Sequence, residues 1–465
     1  MRQARAAFWA LGLIAPVCVH AVDVSGEVGI GAIYTDNVTL AATNTQSDTI
    51  GVADTDFVLH EETRRLVGEV AANLQYLTFE HEIYRNEVLG DLTGFGKFAV
   101  VPGRFDWVLQ DNLGQQQITP GTPVTPLNLE NINYASTGPD LSMPFGPQLL
   151  GQMSARYSRM SYEFDDLSNN RGDVLVALVH PLSATSNVSF SANAERVLFD
   201  DSLANPDYTT RQAYVHFDAQ GARSKLMVDA GYTDATIQNL KTSGPLLHAS
   251  ILRMLSTSMN VVLSVGQDIS DTGNLLRQMQ GTNNVTLGAD ALQNAQDPFT
   301  NRYATAAWNF DRHRTGLTVA LSEFRETHTE QPDLNRTRTE FDVGARRNLS
   351  DAFILNLGAR YARETYVASS TPNDTDLRAI VDVAWRLGRR LEVHAQYART
   401  DHRSDTFAYS YLENRYMLTI GLATENRPGI NSSNSMMNPG NSIVSPSDPG
   451  FSPSNPVTIP SNPVY

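Results

Sequence analysis

The sequence predicts an all-β protein: a transmembrane, antiparallel, up-and-down β-barrel of about 20 strands, with 18 and 22 as the neighbouring counts. Three observations lead there. Apolar and polar residues alternate with period 2 in segment after segment, short and long connections take turns between the segments, and an export signal comes before them all. No later run approaches the roughly 18 apolar residues that a membrane-crossing helix requires.

The export signal is the first element. Arg2 and Arg5 form a basic start, Ala6 to Val19 is an apolar run, and Val19-His20-Ala21 is a small-x-small cleavage site. This predicts a signal peptide over 1–21, Sec-type export, and cleavage near Ala21. Pro16 and Val17 stand where a lipidation site needs small residues before Cys18. Cys18 is the single cysteine among 465 residues, so a disulfide framework or thiolate metal site is excluded after processing. The formal charge is −15, from 35 basic and 50 acidic residues. Phosphate binding needs clustered Lys and Arg, which argues against a nucleic-acid partner.

The barrel is expected over 22–425. In Leu391 to Tyr397 the residues Leu, Val, Ala and Tyr share one face while Glu, His and Gln take the other. The same alternation runs through Gln212 to Ala219, Lys225 to Thr233, Arg338 to Arg346, Arg378 to Leu387 and Arg415 to Leu422. Segments of roughly ten residues, the length a tilted strand needs to cross a bilayer, begin near 24, 47, 66, 87, 105, 130, 149, 172, 186, 208, 223, 245, 258, 300, 315, 335, 352, 375, 389 and 411. Short turns are expected at 62–65, 102–104, 183–185, 220–223, 312–314, 348–351 and 388–390. Longer polar loops are expected at 36–46, 79–87, 113–126, 165–173, 200–207, 271–298 and 401–409. Outer-membrane barrels sort their connections in this way, short on the periplasmic side and long outside. Phe105, Trp107, Trp308, Phe310, Tyr361, Trp385, Tyr397 and Tyr416 suit interfacial girdles. The Pro-, Ser- and Asn-rich stretch 426–465 lacks alternation and is expected to be a disordered tail.

The polar face carries the functional signal. Its candidate pore-lining residues are Arg338, Glu340, Asp342, Arg346, Arg360, Glu364, Arg378, Asp382, Arg386, Glu392, His394 and Arg415. Opposite charges on neighbouring strands pair at about 0.2–1 kcal/mol each, stiffening a wall or tuning ion preference. Side chains do not fill a barrel of this size, so 271–298, the longest loop, is the candidate plug.

Three stretches carry a family likeness: Tyr34-Thr35-Asp36-Asn37-Val38-Thr39-Leu40, Asn131 to Ser142 with Gly138-Pro139, and Tyr411-Leu412-Glu413-Asn414-Arg415-Tyr416. Through them the chain resembles the outer-membrane β-barrel proteins associated with PEP-CTERM/exosortase and exopolysaccharide biosynthesis clusters. The resemblance implies an accessory role in extracellular polysaccharide production or export, and it implies no catalytic residues.

Other chemistry finds little footing. His216 and His394 fall on polar strand faces, His313 lies in a short turn, His328 has no nucleophile patterned around it, and no G-x-S-x-G elbow occurs. Asp165, Asp166, Asn169, Asn170 and Asp173 are oxygen-rich but lack the spacing of a calcium loop. The expectation is therefore a non-enzyme without metal or cofactor, in the outer membrane of a Gram-negative bacterium. Its partners would be outer-membrane lipid, lipopolysaccharide, the barrel-assembly machinery and polysaccharide or export components. The function expected is a passive conduit or scaffold linked to extracellular polysaccharide, with a general small-solute porin as the alternative and a barrel hydrolase as a third. Epitope tags inserted in 36–46, 165–173 or 271–298 should be reachable on intact cells, and tags at 102–104 or 388–390 should not. Reversed labelling would invert the topology.

Overall fold

The computed structural model describes residues 22–238, 240–278, 297–368 and 370–424. The expected signal peptide (1–21), the tail (426–465) and residues 279–296 of the longest loop lie outside the described residues.

Twenty strands follow one another. The first ten are β1 (Asp23–Thr35), β2 (Asp48–Glu62), β3 (Leu66–Phe79), β4 (Glu87–Val101), β5 (Phe105–Gln117), β6 (Leu129–Pro144), β7 (Leu150–Tyr162), β8 (Asn169–Ser183), β9 (Ser186–Phe199) and β10 (Tyr208–Gln220). The rest are β11 (Ser224–Ile237), β12 (Leu240–Ser256), β13 (Met259–Ser270), β14 (Phe299–Arg312), β15 (Thr315–His328), β16 (Arg336–Asn348), β17 (Phe353–Tyr366), β18 (Asp374–Leu387), β19 (Leu391–Ser404) and β20 (Tyr411–Ala423). Each pairs antiparallel with the next, and β20 returns to β1 through nine register pairs from Glu27 to Thr35, so the sheet is closed. A short helix, α1 (Thr272–Gln278), follows β13.

Strand starts fall within three residues of the positions expected from alternation, with one exception. β12 begins at Leu240 rather than near 245, and its connection to β11 shrinks to residues 238–239. The alternation of connection lengths is broken at this hairpin. The reason lies at Pro245. Residues 240–246 pair with β11 alone, because register with β13 starts only at Leu247. A proline, which has no N–H to donate, is tolerated on such a one-sided stretch. The strands are 12 to 17 residues long, more than the ten expected. Polar ends such as Asn169-Asn170-Arg171 extend the ladder of β8 beyond what a bilayer requires.

Elsewhere the connections alternate. Long ones (36–47, 80–86, 118–128, 163–168, 200–207, 271–298) share one end of the barrel and short ones (63–65, 102–104, 184–185, 221–223, 313–314, 388–390) the other. The short turns use residues at positive φ, including Gly103 (73°), Gly388 (77°) and His313 (49°). Glycine takes this conformation without steric cost.

The two faces have opposite chemistry. On β16, Arg336, Arg338 and Glu340 are 3%, 3% and 2% exposed, whereas Phe341, the next residue on the opposite parity, is 44% exposed. Outward-facing tyrosines (Tyr34, Tyr76, Tyr157, Tyr232, Tyr361, Tyr416) gather toward the long-loop end. Phe98, Trp107, Phe353 and Trp385 gather toward the short-turn end, where Phe353 stacks on Trp385 and Trp308 on Phe310. Phe353 and Tyr361 sit at the two levels of β17, separated by about 27 Å along an ideal strand. A strand tilt of roughly 35–45° shortens that to about 20 Å along the membrane normal, within the ~25 Å apolar band of such barrels. Inside, apolar clusters sit beneath the long loops: Ile33, Val38, Ile50, Val52, Leu77, Phe79 and Tyr84 form one, and Leu167, Val197, Phe199, Tyr208 and Ile237 another.

Val343, Leu357 and Val383 lie on the outward parity of β16, β17 and β18. Arginine at any of them would place charge in lipid at about 2–4 kcal/mol near the midplane. These variants should assemble poorly by heat-modifiable gel migration, while T339S, an outward hydroxyl kept in place, should assemble normally.

Candidate functional site

The inner face of β15–β20 brings the candidate charges together. Arg336 is enclosed between two carboxylates: its Nε donates to Glu326 Oε2 at 2.9 Å, and its Nη1 donates to Glu364. Arg338 donates to Glu340, and Arg360 Nη2 donates to the same carboxylate at 2.7 Å. Arg360 also stands 3.9 Å from Asp342. Farther round the wall, Asn356 Nδ2 donates to Asp382 Oδ2 at 2.9 Å, His394 lies between Asp382 and Glu392, and Arg386 Nε approaches Glu392 at 3.4 Å. Arg346 approaches Asp311 at 3.8 Å, and Arg415 approaches Glu413 at 3.9 Å. Arg378 shares the inner parity of β18 with Asp382 and Arg386. Cross-strand register explains the groupings, for Asp342 is opposite Arg360, Arg338 opposite Glu364, and Arg386 opposite Glu392.

The sequence predicts modest cross-strand pairing of these charges along a water-filled wall. In the structure they largely satisfy one another. Glu340, Asp382, Glu392 and His394 are each at most 2% exposed. Enclosed ions carry a desolvation cost of several kcal/mol each, offset only by close, hydrogen-bonded partners. Arg346 and Arg386, with side chains 29% and 38% exposed, retain access to the interior.

The start of the longest loop folds inward. Asp271 caps α1, its Oδ1 accepting from Asn274 N at 3.0 Å, and the same oxygen accepts from Arg171 Nη1 on β8 at 2.7 Å. Arg171 also reaches Asn169 Oδ1 at 2.9 Å and stands 3.5 Å from Glu195 of β9. Leu275 and Leu276 pack against Ile132 and Tyr134 of β6, Met160 of β7 and Phe299. A segment rooted between β13 and β14 therefore rests on the inner wall of β6–β9. Sequence singled out the loop but gave no sign of its partner, because Arg171 and Asp271 are a hundred positions apart. Arg336 was the nearer miss, since it continues the parity of Arg338 and Glu340 in Arg336-Thr337-Arg338-Thr339-Glu340.

The histidines considered for catalysis are held by carboxylates. His216 Nδ1 lies 2.6 Å from Asp229 Oδ1, and His328 Nδ1 lies 3.1 Å from Asp297 Oδ1. Ser189 is the register partner of His216, yet His216 Nε2 makes no hydrogen bond. The oxygen-rich run 165–173 does not converge. Asn169 is enclosed and bonded to Arg171, while Asn170, on the other face of β8, accepts from Tyr157 Oη at 2.8 Å. Two groups do bring possible ligand atoms together: Asp48, Glu80 and His81 near the long-loop end, and Glu27, Glu392 and His394 on the inner wall. Asp48 Oδ1 lies 2.7 Å from His81 Nδ1, and this hydrogen bond raises the exposed imidazole above its ordinary pKa.

Closure, an apolar outer band and two aromatic levels decide the architecture. The fold is that of an outer-membrane β-barrel. Residues 286–424 match the family model described as "Putative beta-barrel porin 2". Similar solved structures include the FrpB iron transporter from Neisseria meningitidis, F5-1 variant (8% identity, TM-score 0.44, 86% of this chain and 83% of that one). The siderophore receptor PirA from Pseudomonas aeruginosa is another (11%, 0.42, 87% and 80%), as is a BenF-like porin from Pseudomonas fluorescens Pf-5 (8%, 0.38, 86% and 99%). No curated protein matches the chain in sequence.

Arg336→Gln would leave Glu326 facing Glu364 across an enclosed gap. Removing one partner of a buried ion pair costs about 3–5 kcal/mol, so this variant should lower the temperature of the heat-modifiable transition markedly. Arg346→Gln, whose partner is exposed, should move it little.

Proposed function

We propose that this chain is a passive outer-membrane channel for small polar solutes, narrowed near its long-loop end by α1. The observation that carries the reading is the enclosed Arg171–Asp271 contact, which fixes a loop segment inside a wall lined with polar groups. A porin uses such an inward loop to set the size of solute that passes and wall charge to set its sign. The match of 286–424 to a porin family model supports the same reading. Arg346 and Arg386 are the arginines we assign to ion preference, with Arg338, Glu340, Asp342, Arg360, Glu364, Arg378, Asp382, Glu392, His394 and Arg415 completing the lining. Outer-membrane lipid, lipopolysaccharide and the barrel-assembly machinery are the proposed partners. The likeness at 34–40, 131–142 and 411–416 supports a more specific role, a conduit or scaffold serving extracellular polysaccharide.

Liposome swelling with sugars of graded size tests both levels. Folded protein should admit mono- and disaccharides, and deletion of 272–296 should raise the rate several-fold and extend it to longer oligosaccharides. Passage of long oligosaccharides by the intact chain would favour the polysaccharide role. Arg346→Gln and Arg386→Gln should each shift the planar-bilayer reversal potential toward cations. A folded protein that passes no sugar, before or after the deletion, would overturn the channel.

A further inference from the structure

Beside the seam, β20 carries a glycine where the inner face would otherwise present a side chain. A Cβ on Gly421 would lie 1.8 Å from Glu27 Oε1, so the Glu27 carboxylate of β1 occupies the space left open. On the other side of β20, Glu392 is the register partner of Gly421, and His394 lies two residues farther along β19. The donor atoms of Glu27, Glu392 and His394 all lie within 4.8 Å of one another. His394 Nε2 is 3.2 Å from Glu392 Oε1. Donors bound tetrahedrally at about 2.0–2.1 Å are separated by about 3.3 Å, close to that spacing.

The imidazole is prepared on its far side. His394 is wholly enclosed, and its Nε2 makes no hydrogen bond. Its Nδ1 faces Asp382 Oδ1 at 3.3 Å, while Asp382 Oδ2 accepts from Asn356 Nδ2 at 2.9 Å. A carboxylate on Nδ1 keeps the proton there and directs the Nε2 lone pair into the gap, the arrangement found behind metal-ligating histidines. A further carboxylate adjoins the cluster. Asp54 of β2 lies over Gly29, itself the register partner of Gly421, and is 8% exposed with an Oδ1 that accepts no hydrogen bond.

We infer that Glu27, Glu392 and His394 bind a divalent first-row cation, Zn2+ or Mn2+, that ties β1 to β19 across β20. One imidazole nitrogen with carboxylate oxygens is a donor set suited to such borderline ions. The rival arrangement is a protonated His394 bridging Asp382 and Glu392 with no metal.

The test uses the full chain folded in detergent micelles, dialysed against EDTA, with His81→Ala in the background to silence the group near the long-loop end. Calorimetric titration with Zn2+ should give one tight site, and X-ray absorption of the bound zinc should show one nitrogen among oxygen donors. Zn2+ should also raise the temperature of the heat-modifiable transition. Glu27→Gln, His394→Gln and Gly421→Ala should each weaken binding at least tenfold. Folded protein that takes up neither Zn2+ nor Mn2+ below millimolar concentration overturns the site, as does a shell of oxygen alone. Should His394→Gln fail to fold, unchanged affinity in the other two variants overturns it equally.

Discussion

Hydrocarbon offers no water to an unpaired N–H or C=O, and each such group left there costs several kcal/mol. The ladder must therefore close on itself, and the contact that closes it is β20 against β1. An even number of strands returns the last one to the side where the first began. Once the sheet is closed, alternate side chains face lipid and interior. The nine register pairs of the seam compare with thirteen between β1 and β2. Closure is thus achieved by one of the shorter ladders, where Gly26 N donates to Thr424 Oγ1 and Thr424 N donates to Gly26 O.

The interior follows from that geometry. Successive strands present charged residues in rows, and a row is a chain of cross-strand neighbours about 5 Å apart. Glu326–Arg336–Glu364 is such a row across β15, β16 and β17, while Arg338 and Glu340 are neighbours along β16 that Arg360 of β17 joins. The members of both groups are too enclosed to count as surface ion pairs, and their worth is that each compensates a neighbour already taken from water. Apolar clusters beneath the long loops complete the packing where the wall rises beyond the bilayer.

Much of this was legible in the chain. Period-2 alternation gives strand positions because lipid and interior select opposite residues, and β16–β19 read clearly for that reason. The signal fails where both faces are polar. Residues 240–246 pair on one side only, and the five residues between Leu240 and Leu246 include no apolar strand former, so Gly244-Pro245 reads as a break. The site was legible by face and not by partner. Arg338 and Glu364 share a parity visible in sequence, whereas Asp271 meets Arg171, and Glu27 meets His394, only because the sheet is rolled. Gly421 would have been read as a weak strand residue, when its missing side chain is what lets Glu27 reach across.

The contact between Arg171 and Asp271 also separates two responses to ionic strength. Screening acts over about 8 Å in physiological salt but scarcely enters an enclosed pair, and both side chains are at most 5% exposed. Added salt therefore leaves α1 seated against the wall of β6–β9. The same salt reaches the half-open guanidinium groups of Arg346 and Arg386 and blunts their field. In the channel we propose, bore and charge preference are consequently separable: the first is fixed by a contact that salt does not reach, and the second fades as the medium becomes more concentrated.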